Sequence, residues 1–273
     1  DVHLVGMLLS LNKVMPEKTR AIAREVVQKV VRELEKKLAA PLREAIAGAL
    51  SRAVRNRRPR PNEIDWHRTI KENLRHYQPD YQTVIPEKLH GHGRKGQALR
   101  EVILCIDQSG SMAASMVYAS IFGAVMASIR TIKTQVVVFD TAVVDLTEKL
   151  NDPVELLFGT QLGGGTDIAK ALGYVQTIIR QPSDTILVLI SDLFEGGNRD
   201  ELLKKSASLR QSGVQFVALL ALSDEGKPAF DAQIAKQLAA LDIPAFACTP
   251  HLFPEIMAAA VKKEGLGRFV NQI

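Results

Sequence analysis

The stretch "DQSGS" (107–111) sets a carboxylate and two hydroxyls at alternate positions, Asp107, Ser109 and Ser111, directly after the apolar run 102–106. Two more oxygen-bearing side chains stand out downstream: Thr166, behind the glycines of "GGGTD" (163–167), and Asp192, which closes "TILVLISD" (185–192). Hydroxyls and carboxylates without histidine or cysteine suit a hard cation: Mg²⁺ first, with Mn²⁺ or Ca²⁺ as related choices. Three neutral hydroxyls and only two carboxylates leave such an ion much of its positive charge. It would attract an anionic ligand, most simply a carboxylate from another protein.

Other chemistries use some of the same residues. Ser111 also reads as the N-cap of a following helix, and Asp192 as a turn residue after a strand. Neither reading accounts for Ser109 and Thr166. A phosphate loop needs G-x-x-x-x-G-K-[ST], and a dinucleotide site needs G-x-G-x-x-G after the first strand; both are absent. A serine hydrolase needs G-x-S-x-G and a later histidine, but position 107 is Asp and the only later histidine is His251. A phosphohydrolase with Asp107 as nucleophile is the enzymatic alternative, because an acid ending the first strand of a parallel sheet is where that nucleophile sits. Such enzymes carry a second acid two residues on, and here that position is Ser109. The expected class is therefore a binding module and not an enzyme.

The elements that must position these oxygens follow from apolar patterning. "EVILCID", "TQVVVFD", "TILVLISD" and "VQFVALLAL" are strand-length runs with almost no polar alternation, as expected of strands buried on both faces. Helical patterns fall between them at 113–129, 167–180, 199–212 and 228–240, with a last one at 253–264. "TAVVDLTEKL" follows "VVVFD" too closely for a crossover helix, so it predicts a hairpin and one antiparallel edge strand. "IPAFACT" carries Pro244 and belongs at the other edge. The predicted fold is α/β: a doubly wound, mostly parallel six-stranded sheet with one antiparallel edge strand, behind an N-terminal helical extension. Such sheets bind ligands outside the carboxyl ends of their strands, which is where all five oxygen positions fall.

All five positions and their order resemble the metal-ion-dependent adhesion site of von Willebrand factor A (VWA) domains. The resemblance covers roughly 100–265 and implies that Ser109, Ser111 and Thr166 coordinate the metal through hydroxyls. Asp107 and Asp192 would act directly or through water. "DWHRTIKENLRH" and the arm up to "REVILCIDQSGSM" further resemble the bacterial CoxE-like branch. That implies a partnership with MoxR-type AAA+ ATPases in protein remodelling or metallocentre assembly. The expected organisation is 1–60 as a helical extension with a basic linker, 61–99 as a short helix and extended arm, and 100–273 as the VWA domain.

In the first part, 16–54 carries Ile22, Val26, Val27, Val30, Val31, Leu34 and Leu38 at helical spacing and predicts one long helix or two broken near Pro41. "EIDWHRTIKENLRHY" (63–77) reads as a short helix, anchored on the VWA domain by Trp66, the only tryptophan. His90 and His92 lack companions for a zinc site and read as exposed loop histidines. Asp140 reads as a turn residue beside the oxygen cluster. Residues 1–100 carry a net charge of +10 and residues 101–273 a net −5. The arginines of 52–60 are the nucleic-acid alternative, but no aromatics are interleaved with them, so an acidic protein or solvent is the better match. Cys105 and Cys248 read as buried thiols of a reducing compartment. No apolar run reaches membrane-helix length and no signal peptide opens the chain, so the expectation is a cytoplasmic protein.

Overall fold

A computed structural model of the chain describes residues 2–11, 15–53, 55–56, 61, 64–92, 100–159, 164–222 and 229–269. The N-terminal part comprises α1 (Val2–Leu11), α2 (Glu17–Ala53), β1 (Arg55–Asn56), α3 (Trp66–Glu72), β2 (Tyr77–Gln78), β3 (Thr83–Val84) and β4 (Gly91–His92). Strand β1 pairs with β4, and β2 with β3, both antiparallel. There follow β5 (Arg100–Asp107), α4 (Ala113–Ala127), β6 (Ile132–Phe139), β7 (Val143–Asp145), α5 (Pro153–Gly159) and α6 (Ile168–Ile178). The chain continues through β8 (Thr185–Ile190), α7 (Arg199–Gln211), β9 (Gln215–Leu222), α8 (Ala232–Ala240), β10 (Ala245–Cys248) and α9 (Phe253–Val261).

Strands β5 to β10 form one sheet in the order β10-β9-β8-β5-β6-β7. Every neighbouring pair is parallel except β6 with β7, the antiparallel edge that the short "FDTAVV" connection predicts. Val102, Leu104 and Ile106 of β5 face a core shared with α1, α2, α4 and α9, while Ile103 and Cys105 face one shared with α6, α7 and α8. Burial of both faces removes any reason for polar alternation, which is why these strands read as continuous apolar runs. Cys105 and Cys248 are free and buried, and desolvation pushes both thiols far above the ordinary range.

The chain passes from β5 to β6 on one side and later returns to β8 on the other, so strand order reverses between β5 and β8. The crevice at the carboxyl ends of these two strands is the topological switch point.

One open alternative is settled and several expectations are corrected. Helix α2 is the single long helix and runs unbroken through Pro41. Leu38, Leu42 and Ile46 on its buried face are held in the core, and Pro41 lies on the exposed face, where the Lys37 carbonyl that lost its partner can be hydrated. Ile22 is exposed, and Ala23 takes the core position beside it. The segment Gly110–Ala127 does reach membrane-helix length, with mean hydropathy 1.4 over 18 residues, but it is largely buried. Helix α4 is apolar all round because it lies between the sheet and the helices α1, α2 and α9.

Trp66 is 53% exposed and is not a buried anchor. Helix α3 is pinned by polar groups instead. The Thr69 hydroxyl donates to the His90 carbonyl at 3.2 Å and accepts from the His90 amide at 3.1 Å. The Asn73 side-chain amide donates to the Lys88 carbonyl at 2.9 Å and accepts from the Glu87 amide at 2.9 Å. His90 is part-buried instead of exposed, with Nε2 2.9 Å from Glu72 Oε2. The arginines 57, 58 and 60 of the basic cluster, and Gly163 of the glycine run, lie outside the described residues.

Candidate functional site

Asp107 ends β5 and Ser191–Asp192 follow the end of neighbouring β8, so strand register alone brings them to one edge. Asp107 is completely buried. Its Oδ1 accepts the Ser109 amide at 2.8 Å, which bends the chain sharply after the strand, and its Oδ2 accepts the Ser191 hydroxyl at 2.8 Å. Burial raises the pKa of this carboxyl. The bonds from Ser109 and Ser191 oppose the rise, and the nearby Asp192 charge adds to it.

The bent segment carries both serines outward. Ser109 Oγ and Ser111 Oγ are 3.1 Å apart, and Ser111 Oγ donates to Asp192 Oδ2 at 2.6 Å. Ser111 is therefore not the cap of α4, whose N-cap is Met112 without a side-chain bond. Asp192 Oδ1 also accepts the Phe194 amide at 3.3 Å, so its turn role and its place in the oxygen cluster coexist. Direct hydrogen bonds thus join Ser109, Ser111 and Asp192 in one chain of oxygens, with Asp107 behind them.

Thr166 reaches the same edge through backbone bonds. Its carbonyl accepts the Gly196 amide at 2.8 Å, and the next residue's amide donates to the Asp140 carbonyl at 2.9 Å. Asp140 is the expected turn residue, with Oδ1 accepting the Ala142 amide at 2.6 Å, and its carboxylate lies beside Gly164, whose φ of +133° needs glycine. The Thr166 loop is held between the loop after β6 and the loop after β8.

Two residues of the site lie outside the five predicted ligands. Ser191 bridges Asp107 and the Leu193 amide, 3.0 Å away, and fixes how the loop leaves β8. Glu195 sits half-buried against α6, with Oε2 accepting the Ile168 amide at 2.8 Å. Desolvation raises its pKa, opposed by the backbone amides of Ile168 and Gly197, while the neighbouring Asp167 charge raises it again. The signals were adjacency to Asp192 and the two glycines after Glu195.

The donor chemistry fits a small hard cation. Octahedral coordination at about 2.1 Å sets neighbouring oxygens about 3.0 Å apart, close to the spacings along Ser109, Ser111 and Asp192. Among the described residues no cluster of three or more His, Cys, Asp or Glu offers a nitrogen or sulfur cage. The nearby cations are engaged elsewhere: Arg199 pairs with Asp231 at 2.7 Å, and Lys170 Nζ bonds the Thr141 carbonyl at 2.8 Å. Among the described residues, no ion pair neutralises Asp107 or Asp192.

"Uncharacterized protein YehP" of Escherichia coli (strain K12) is 36% identical over 205 residues, which cover 72% of this chain and 54% of that protein. The chain thus spans about half the length of this relative. Among solved structures, the conserved hypothetical protein BatB from Bacteroides thetaiotaomicron is similar with a TM-score of 0.46 at 13% identity, over 60% of this chain and 98% of that one. An aerotolerance-related membrane protein from Bacteroides fragilis NCTC 9343 is similar with a TM-score of 0.44 at 16% identity, over the same shares of the two chains. The description "VWA domain containing CoxE-like protein" matches residues 35–257. That match takes in the whole oxygen cluster, the segment 61–99 and the carboxyl half of α2, and the chain belongs to the family of VWA domain-containing CoxE-like proteins.

Proposed function

We propose that the chain is a divalent-metal-dependent protein-binding module and not an enzyme. The observation that carries this is the pair of buried carboxylates, Asp107 and Asp192, tied to serine hydroxyls at the switch point with no cation beside them among the described residues. In this reading Ser109, Ser111 and Thr166 hold Mg²⁺, or Mn²⁺ or Ca²⁺, through their hydroxyls. Asp192 lies close enough to Ser111 to share the ion. Asp107, with both oxygens already accepting protein hydrogen bonds, acts behind them. The bound ion supplies a positive charge that a carboxylate can complete.

The chain's own residues shape what approaches. The exposed ring of Phe194 follows two residues after Asp192, and exposed Phe230 precedes Asp231, whose amide donates to the Asp192 carbonyl at 3.0 Å. An acidic side chain from a partner protein would thus arrive over a rim with apolar contact area. Family membership supports a MoxR-type AAA+ ATPase as that partner, with the module acting as its adaptor in remodelling or metallocentre assembly. Such a pairing places the protein in the cytoplasm.

The test is capture of a purified MoxR-type ATPase by the immobilised chain. Retention with Mg²⁺, release by EDTA and loss with Ser109→Ala are expected. Hydrolysis of a phosphomonoester that requires Asp107 would overturn the reading in favour of the phosphohydrolase alternative.

A further inference from the structure

The loop after β8 carries Asp192 and, three residues on, a second acid that bonds to the first turn of α6. We infer that Glu195, with Gly196 and Gly197, is a positioning clasp that sets Thr166 relative to Asp192 and so assembles the metal site from two separate loops. The inference rests on the metal-binding reading above.

Four contacts carry it. Glu195 Oε2 accepts the Ile168 amide at 2.8 Å, at the first turn of α6. Glu195 Oε1 accepts the Gly197 amide at 3.0 Å and closes the loop on itself. The Gly196 amide donates to the Thr166 carbonyl at 2.8 Å, so the loop grips Thr166 directly as well as through the helix behind it. Asp167 already caps α6 by accepting the Lys170 amide at 2.8 Å, which leaves Glu195 to take a different orphan donor of the same helix end.

The two glycines favour this grip. A Cβ at position 196 would stand 3.0 Å from the Thr166 carbonyl oxygen. One at position 197 would stand 2.5 Å from Glu195 Oε1 and 3.1 Å from Asp167 Oδ1. At 196 the obstacle is backbone and the approach is tighter than nine in ten real Cβ contacts; at 197 it is the carboxylate end of Glu195 itself, which a side chain would push out of place. Leu193, between Asp192 and Glu195, is buried with a φ of +64°, a conformation unusual for leucine that turns the chain between the two acids. Removing Glu195 should leave the sheet intact and let the Thr166 loop drift from the Asp192 loop.

The experiment pairs amide hydrogen exchange on metal-free protein with Mn²⁺ titration followed by electron paramagnetic resonance. Glu195→Ala is expected to speed exchange at Ile168 and Gly196 while leaving Thr185–Ile190 protected, and to weaken Mn²⁺ binding by about tenfold or more. Glu195→Gln keeps one acceptor for two amides and should fall between wild type and Glu195→Ala in both readouts. Gly196→Ala alters no charge yet presses on Thr166, and should weaken Mn²⁺ binding comparably. Unchanged exchange at Ile168 in Glu195→Ala would overturn the clasp. So would faster exchange with Mn²⁺ affinity within about twofold of wild type, since that is the mark of a purely structural contact. Failure of the wild-type chain to bind Mn²⁺ would overturn the metal reading instead, and with it the assembly role, while the exchange data still decide whether Glu195 holds the two loops together.

Discussion

At its amino end, strand β5 buries Arg100 and Glu101, and each meets an opposite charge. Arg100 Nη1 lies 2.8 Å from Asp184 Oδ1, and Glu101 Oε1 lies 2.5 Å from Lys133 Nζ, with the Thr185 hydroxyl 3.2 Å from its other oxygen. At its carboxyl end the same strand buries Asp107 next to Asp192, and the partners are hydroxyls and amides. Burying a charge is tolerable only when it is paired or coordinates a metal. One end completes its own pairing within the chain; at the other, no ion pair reaches the acids among the described residues, and this is where the proposed metal would sit. The same sheet thus separates a structural end from a receptive end by the sign of what surrounds the acids.

Substitutions that neutralise one acid at each end break this comparison most directly. Asp107→Asn keeps the shape, and its side-chain oxygen can still accept the Ser109 amide. The changed bond to Ser191 costs about 1 kcal/mol, and loss of a desolvated charge offsets it. The metal-free protein should therefore unfold within about 1 kcal/mol of wild type. Its Mg²⁺ affinity, in contrast, should fall by about a hundredfold, read as loss of the Mg²⁺-induced rise in Tm.

Asp184→Asn at the other end should behave inversely. It leaves the Arg100 guanidinium buried without its counter-charge, but Asp184 is half-exposed and water takes up part of the loss. Chemical denaturation is expected to show about 1–2 kcal/mol of destabilisation, with Mg²⁺ binding unchanged. If Asp184→Asn weakened metal binding as strongly as Asp107→Asn, the two ends would not be functionally distinct.

How much of this was legible depends on whether a residue's role was local. The strands were readable because burial on both faces leaves an uninterrupted apolar run, and "DQSGS" was readable because a bend after a strand presents alternate residues together. Pro41 was not, because the core contacts of Leu38, Leu42 and Ile46 that carry α2 past it come from distant elements. Helices α1 and α5 were missed for a related reason: a few turns with little polar patterning carry no period to detect. The exposure of Trp66 was hidden because composition favours an apolar anchor, whereas Thr69 and Asn73 hold the helix through backbone groups that no pattern marks. Thr166 was identified by its order in the motif. The reach of Glu195 across to Ile168 is a tertiary contact between loops without sequence spacing of its own.

The smallest expected effect sharpens the comparison through pH. Burial raises the pKa of Asp107 in the folded, metal-free protein above its unfolded value. A carboxyl shifted in this direction binds its proton more tightly when folded, so its contribution to stability is greatest below the unfolded pKa and is lost as pH rises through the folded one. Metal binding runs the opposite way, because the cation competes with that proton: Mg²⁺ affinity should fall as pH drops through the raised Asp107 value. Thermal scans across this acidic window should therefore show the curves with and without Mg²⁺ converging as pH falls, with Asp107's own share of the metal-free slope bounded by one proton. With Mg²⁺ raised until the variant's Tm shift is restored, Asp107→Asn should show a gap that no longer closes as pH falls, and Asp184→Asn should preserve the convergence. Convergence that persists in Asp107→Asn would assign the proton to another acid of the receptive end, Glu195 first among them, since its carboxyl is also shifted upward by burial.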